Sequence, residues 1–128
     1  MTDAAQRFRA ALEARSVEAA GALLAEDVVF RSPVVFGPYH GRHAVTQILD
    51  AVFRVFDDWR CVREIGGPDD RDHALVFQAR IGERQIEGCD FLHLDESDSI
   101  DEFYVMVRPL SGALALADAM KAQIAAST

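Results

Sequence analysis

The stretch that decides the fold runs from His73 to Leu94 and reads HALVFQARIGERQIEGCDFLHL. Two runs with a period of two, His73–Ile81 and Gln85–Leu94, flank Gly82 and Glu83, which predicts a β-hairpin. In the second run Ile86, Gly88, Asp90, Leu92 and Leu94 share one parity; Glu87, Cys89, Phe91 and His93 share the other. Side chains on a strand alternate between its faces, so the first set is the face turned to the core. Asp90 is the one charge in that set. An ionised carboxylate there is costly unless it is hydrogen-bonded, paired or able to take up a proton. If Asp90 faces a water-poor cavity, its pKa rises. It then becomes a candidate general acid, general base or neutral donor to an oxyanion. The alternative is a structural aspartate whose partners satisfy it.

Outward from the hairpin, periods of about 3.6 come first and periods of two follow. Asp3 and Ser16 are placed to cap two helices, the first carrying Phe8, Ala11 and Leu12, the second Val17, Ala20, Leu23 and Leu24. Val28–Phe30 predicts a short strand stopped by Pro33, and Pro33–Gly41 reads as an ordered loop. A third helix carries Val45, Ile48, Leu49, Val52, Phe53 and Phe56 on one stripe, with Asp57 and Asp58 as its polar exit. Strands are predicted over Trp59–Ile65 and Ile100–Val107, and a last helix is marked by Ala113, Leu114, Ala117, Met120 and Ile124. This order predicts an α+β fold, a mainly antiparallel sheet with helices over one face. The other face is apolar too, at Val76, Phe91, Tyr104 and Met106. No further helical layer remains to cover it, so a homodimer across the outer face is expected. His73 and His93 are assigned to the outward or edge parity, as structural or exposed residues.

The chain of 128 residues is read as one domain, 1–128, with 13 Lys and Arg against 21 Asp and Glu and a net charge of −8. An acidic surface repels phosphate backbones and anionic bilayers, so neither nucleic acid nor membrane is an expected partner. Met1–Arg15 holds no apolar signal-like core, and no apolar run reaches membrane-spanning length. Cys61 and Cys89 lack metal or redox spacing and are expected as free buried thiols, which together with the missing leader predicts a cytoplasmic protein. His40 and His43 are three apart at a helix start but lack a third ligand, so no metal is expected; His40 is placed at a pocket mouth instead. The acidic run Asp95, Glu96, Asp98, Asp101 and Glu102 lacks calcium-loop spacing and reads as a solvated turn. Arg108, before Pro109, is expected to cap the sheet end.

The order helix, helix, strand, loop, helix, then four strands resembles the nuclear transport factor 2-like superfamily, in its SnoaL-like and ketosteroid isomerase-like branch. The resemblance spans nearly the whole chain. It rests on Ala25-Glu26-Asp27-Val28-Val29-Phe30 followed by Ser32-Pro33, on His40-Gly41-Arg42 opening the third helix, and on the hairpin with Asp90 and Leu94-Asp95. It implies a cone-shaped, strongly bent sheet wrapped around helices, with a conical pocket and frequent dimers. In ketosteroid isomerases the base is an Asp just before the Pro that closes the first strand; Ser32 stands there. Phe8 stands where the first helix carries an oxyanion-hole Tyr, and Asp90 matches the second donor, a protonated Asp. Epoxide hydrolases of the superfamily use an Asp-Arg-Asp set, for which the inward parity supplies no Arg and second Asp. SnoaL-like cyclases need little more than one acid/base residue and a shaped apolar pocket.

The resemblance thus implies a protein that binds a hydrophobic small molecule and acts on it, without a cofactor, by isomerisation, aldol-type cyclisation or dehydration. A non-catalytic ligand-binding or protein-interaction module is the alternative. The expected pocket comprises Phe8, Leu12, Leu24, Phe30, His40, Leu49, Phe53, Phe77, Ile86, Gly88, Phe103, Val105 and Val107. Asp90 is its acid/base residue and Ser32 an orienting hydroxyl at the mouth. Gly88 is expected to let a ligand approach the sheet.

Overall fold

The structure, a computed structural model, describes residues 3–126, with side chains as far as Gln123, so the expected inward side chain of Ile124 lies outside the described residues. The elements run α1 (Ala4–Glu13), α2 (Val17–Ala22), β1 (Leu24–Arg31), β2 (Tyr39–His40), α3 (Arg42–Val55), β3 (Asp57–Ile65), β4 (Asp72–Ile81), β5 (Arg84–Leu94), β6 (Ile100–Arg108) and α4 (Leu110–Ala126). The fold is α+β, a curled and unclosed six-stranded sheet with four helices. Strand order is β2-β1-β6-β5-β4-β3. Only the β1–β6 pair is parallel. No described helix is long and apolar enough to cross a membrane.

The helix starts follow from local chemistry. Asp3 Oδ1 accepts the Gln6 N–H at 2.8 Å and Ser16 Oγ accepts the Ala19 N–H at 3.1 Å, each satisfying a donor the first turn leaves without a partner. α3 has no side-chain cap; it starts from Gly41 at φ 95°, a backbone region that favours glycine. The Gly41 N–H donates to the Val28 carbonyl at 2.8 Å, which ties the start of α3 to β1.

The hairpin register runs unbroken from Asp72↔His93 to Ile81↔Arg84. It sets Asp90 between Leu75 on β4 and Val105 on β6. Two hydrophobic clusters fill the concave face. One, around Phe8, Leu24, Val28, Val45, Leu75, Leu92 and Ile100, joins α1, α2, β1 and part of α3 to the sheet. The other, around Phe56, Phe77, Ala79, Ile86 and Leu116, sits under α4. At Gly112 α4 comes so close to β5 that an added Cβ would lie 2.5 Å from Ile86 Cγ2.

Several sequence expectations are corrected. β1 begins at Leu24, four residues before Val28, and the loop contains the two-residue strand β2. Asp57 and Asp58 open β3 instead of ending a helix, and Asp58 pairs with Arg80 at 2.8 Å. His73 lies on the inner parity with Leu75, Phe77 and Ala79 and is only 4 % exposed. Its Nε2–H donates to the Asp70 carbonyl at 2.8 Å, while the buried Nδ1 has no partner. Cys61 and Cys89 are free, but half-buried where full burial was expected. At the sheet end Arg108 pairs with Glu87 at 3.3 Å.

Gly88 departs from expectation in a way that shapes the interior. The Phe77 ring lies over it; an added Cβ would collide with that ring and sit 2.7 Å from the Met106 carbonyl oxygen. The missing side chain makes room for an aromatic ring instead of exposing backbone to a ligand. Gly88→Ala should therefore lower stability by about 1–3 kcal/mol through overpacking. Urea unfolding checks this, and an unchanged midpoint would show that Phe77 yields freely.

Candidate functional site

Between the two clusters lies a cavity of about 340 Å³. The apolar stripe of α3 roofs it through Val45, Ile48, Leu49, Val52 and Phe53, and α4 closes one side with Leu116, Ala117 and Met120. The rings of Phe30, Tyr39, Phe56, Trp59, Phe77 and Phe103 line the walls. They are propped against one another: Trp59 stacks on Phe77 at 5.5 Å, and Phe103 packs against Phe30 at 5.1 Å. Rings in mutual contact resist collapse into the space beside them.

Asp90 enters this lining from β5, on the inner face as its parity requires. It is 4 % exposed, and among the described residues nothing hydrogen-bonds to its carboxyl or pairs with it. Burial alone pushes its pKa up to about 8, because desolvation penalises the charged form and no cation compensates. At neutral pH it is mainly a neutral acid, with one O–H to donate and lone pairs to accept. Ser32 also lines the cavity, but its Oγ accepts the Val34 N–H at 3.0 Å and the Val35 N–H at 3.3 Å. The hydroxyl thus shapes the loop, and no base stands by to activate it. Among the described residues no group of three His, Cys, Asp or Glu could hold a metal ion.

The pattern of the SnoaL-like domain matches residues 5–103. The chain belongs to the SnoaL-like family. Its structure is similar to that of a steroid delta-isomerase from Pseudomonas aeruginosa, at 36% identity over 97% of this chain and 90% of that one, with a TM-score of 0.91. An uncharacterized protein with a cystatin-like fold from Silicibacter pomeroyi DSS-3 is similar at 35% identity, over 97% and 86% of the two chains, with a TM-score of 0.91. The epoxide hydrolase/cyclase-like enzyme SalBIII shares the fold at 18% identity, over 84% and 88%, with a TM-score of 0.66. The curated proteins contain no match.

Within this SnoaL-like frame, Leu12, Phe30, Leu49, Phe53, Phe77, Phe103 and Val105 line the cavity together with Asp90 and Ser32. The other expected pocket residues lie elsewhere. Phe8 is fully buried, edge-on to Phe103 at 5.3 Å, and Leu24 belongs to the first cluster. Ile86 is buried behind Gly112 and Val107 packs on the second cluster. Gly88 lies under Phe77, and His40 is exposed while its neighbour Tyr39 faces in. Strand alternation from Phe30 would have placed Tyr39 only if the short pairing Phe30↔Tyr39 had been foreseen. Arg15, in the turn after α1, and Lys121, on α4, both exposed, complete the lining; a search for apolar stripes passes over such charged positions.

The buried carboxyl has a consequence for stability. Below the unfolded carboxylate range both states hold the proton, and Asp90 adds no pH-dependent cost. As pH rises from there towards about 8, the unfolded chain has lost its proton while the folded one must keep it. Folding then weakens by roughly 1.4 kcal/mol per pH unit. Asp90→Asn should therefore be more stable than the parent at pH 8 to 9, with the gap closing towards pH 4. Thermal melts across that range check this, and a pH-independent gap would place a charge partner beside the carboxyl.

Proposed function

We propose that this SnoaL-like protein takes up an apolar small molecule and acts on it with Asp90 as proton donor and hydrogen-bond partner to a substrate oxygen. One observation carries the reading: an unpartnered, buried carboxyl in the lining of an otherwise apolar cavity. A neutral acid in a water-poor site stabilises charge that grows on a carbonyl oxygen, because the donor is already placed and no solvent must reorganise. Isomerisation, aldol-type cyclisation and dehydration all pass through such charge and need no cofactor.

The steroid delta-isomerase similar to this chain supports that class of chemistry. The ketosteroid isomerase route itself is poorly supported, since Phe8 carries no hydroxyl and Ser32 is held by the loop. Apolar ketones, lactones and polyketide-like aromatics are the compounds to screen. With a turned-over compound, Asp90→Asn should lower the rate by about 10²-fold or more while binding persists. The parent's rate should fall as pH rises through about 8. Undiminished turnover in the variant would remove Asp90 from catalysis, and binding without turnover of any compound by the parent would favour the non-catalytic ligand-binding reading. The free thiols of Cys61 and Cys89 support a reducing, cytoplasmic location.

We infer in addition that a second copy of the chain covers the outer sheet face. Phe91 and Met106 are 41 % and 53 % exposed there, flanked by half-buried Val76 and Tyr104, with Phe91 edge-on to Tyr104 at 6.2 Å. Aromatic and Met side chains grouped on one face suit an isologous contact. Light scattering should give twice 14.1 kDa, and the double variant Phe91→Glu, Met106→Glu should give the monomer. A monomeric parent at micromolar concentration would exclude the dimer.

A further inference from the structure

We propose that the pocket selects an amphipathic acid: an apolar body fills the cavity and a carboxylate at its mouth is held by Arg15 and Lys121. This rests on the reading that the cavity takes an apolar ligand. The cavity and the chain carry opposite charge. The chain as a whole bears −8, with 21 acids against 13 bases, yet the charged residues of the lining are two bases and one acid, Arg15, Lys121 and Asp90. Lys121 is the only lysine in the sequence. Asp90 is buried and holds its proton at neutral pH, so the lining is net positive in an otherwise acidic molecule.

Position and partnering point the same way. Arg15 and Lys121 line the cavity while remaining exposed, which places them at its rim, whereas Asp90 lies inside. Neither forms an ion pair with a described residue, although Arg9, Arg54, Arg80 and Arg108 all do. Arg15 is also fixed at its base. It holds φ 56° in the turn after α1, with its own N–H donating to the Leu12 carbonyl at 3.1 Å and the Ser16 N–H donating to the Ala11 carbonyl at 2.9 Å. A guanidinium on an ordered turn and an ammonium on α4, neither ion-paired among the described residues, thus belong to the exposed part of one lining. An anion there meets both, while the apolar walls take up the rest of the ligand. A ligand with a buried amine would instead need Asp90 ionised and would meet two like charges on entry.

Trp59, the only tryptophan, lines the cavity and reports on occupancy. Phenylhexanoate, phenylhexanol and phenylhexylamine share one apolar body and differ in end-group charge. Each is titrated into the intact protein at neutral pH and low salt, by Trp59 fluorescence and calorimetry. The acid should bind about three- to tenfold more tightly than the alcohol, the range expected for two exposed cations. That preference should fade in roughly 0.5 M salt. It should disappear in the double variant Arg15→Gln, Lys121→Gln, in which acid and alcohol should bind equally. Equal binding of acid and alcohol, a preference for the amine, or an acid preference that survives the double variant would each overturn the assignment while leaving the pocket reading intact. No binding by any of the three would overturn both.

Discussion

The structure depends on how a curled sheet is filled from its concave side. Two packed clusters do this from opposite ends, joined only through half-buried Trp59 and Val105 among the described residues. On β5, Ile86 belongs to the cluster under α4, and Leu92 and Leu94 belong to the cluster under α1. The residues between them on that face are Gly88, which has no side chain, and Asp90, which cannot join an apolar contact cheaply. On β4 the division falls between Leu75 and Phe77, and on β6 Val105 touches both clusters. A void in a protein interior forfeits dispersion contacts along its whole lining. Here that loss coincides with a desolvated acid, two costs at one level of the sheet. Stability alone would favour an apolar residue at position 90.

Much of this was legible from alternation and capping. Asp3 and Ser16 announce their helices because a side-chain oxygen followed by an apolar stripe has few other uses. Asp90 stands out because period two leaves no freedom once Leu92 and Leu94 face inward. Where the reading failed, tertiary contacts overruled local rules. His73 is a polar residue at a strand start, and only the turn folding back at Gly66 gives its ring a buried place. A Cβ at Gly66 would lie 2.6 Å from the imidazole Nδ1. Gly88 looked like an opening for a ligand because nothing local reveals which neighbour's ring will occupy the space. The contribution of α4 was hidden for a different reason: the helix is apolar nearly all round, with Leu110 and Leu114 exposed and Leu116 buried, so no stripe marks its inner face.

The likeness to the steroid delta-isomerase fixes the backbone frame and not the reaction. At 36% identity and a TM-score of 0.91 the backbone frame is shared, yet activity depends on the groups a site presents. Phe8 spends its ring on an edge contact with Phe103, and Ser32 spends its lone pairs on two loop N–H groups. Both positions are structural in this chain. Asp90 is then the one buried ionisable side chain of the described lining, with Tyr39 in the wall near the mouth.

A single neutral acid constrains the chemistry more than the shape of the cavity does. A donor of this kind lowers a barrier only where negative charge grows on an atom within hydrogen-bond reach, so on the proposed reading a substrate would present a carbonyl or a departing hydroxyl to Asp90. At neutral pH little of it is ionised, so although burial makes its carboxylate a stronger base than an exposed one, little of that base is present. On the proposed reading, an α-proton that is acidic already, as between two carbonyls, would ask least of that small ionised fraction. β-Dicarbonyl and polyketide-like frameworks meet that condition through their own electronic structure, whereas an isolated ketone does not. The protein's part would then be to hold such a chain folded against the rings of Trp59, Phe77 and Phe103 while Asp90 holds the oxygen, a division of labour in which position does more than acidity.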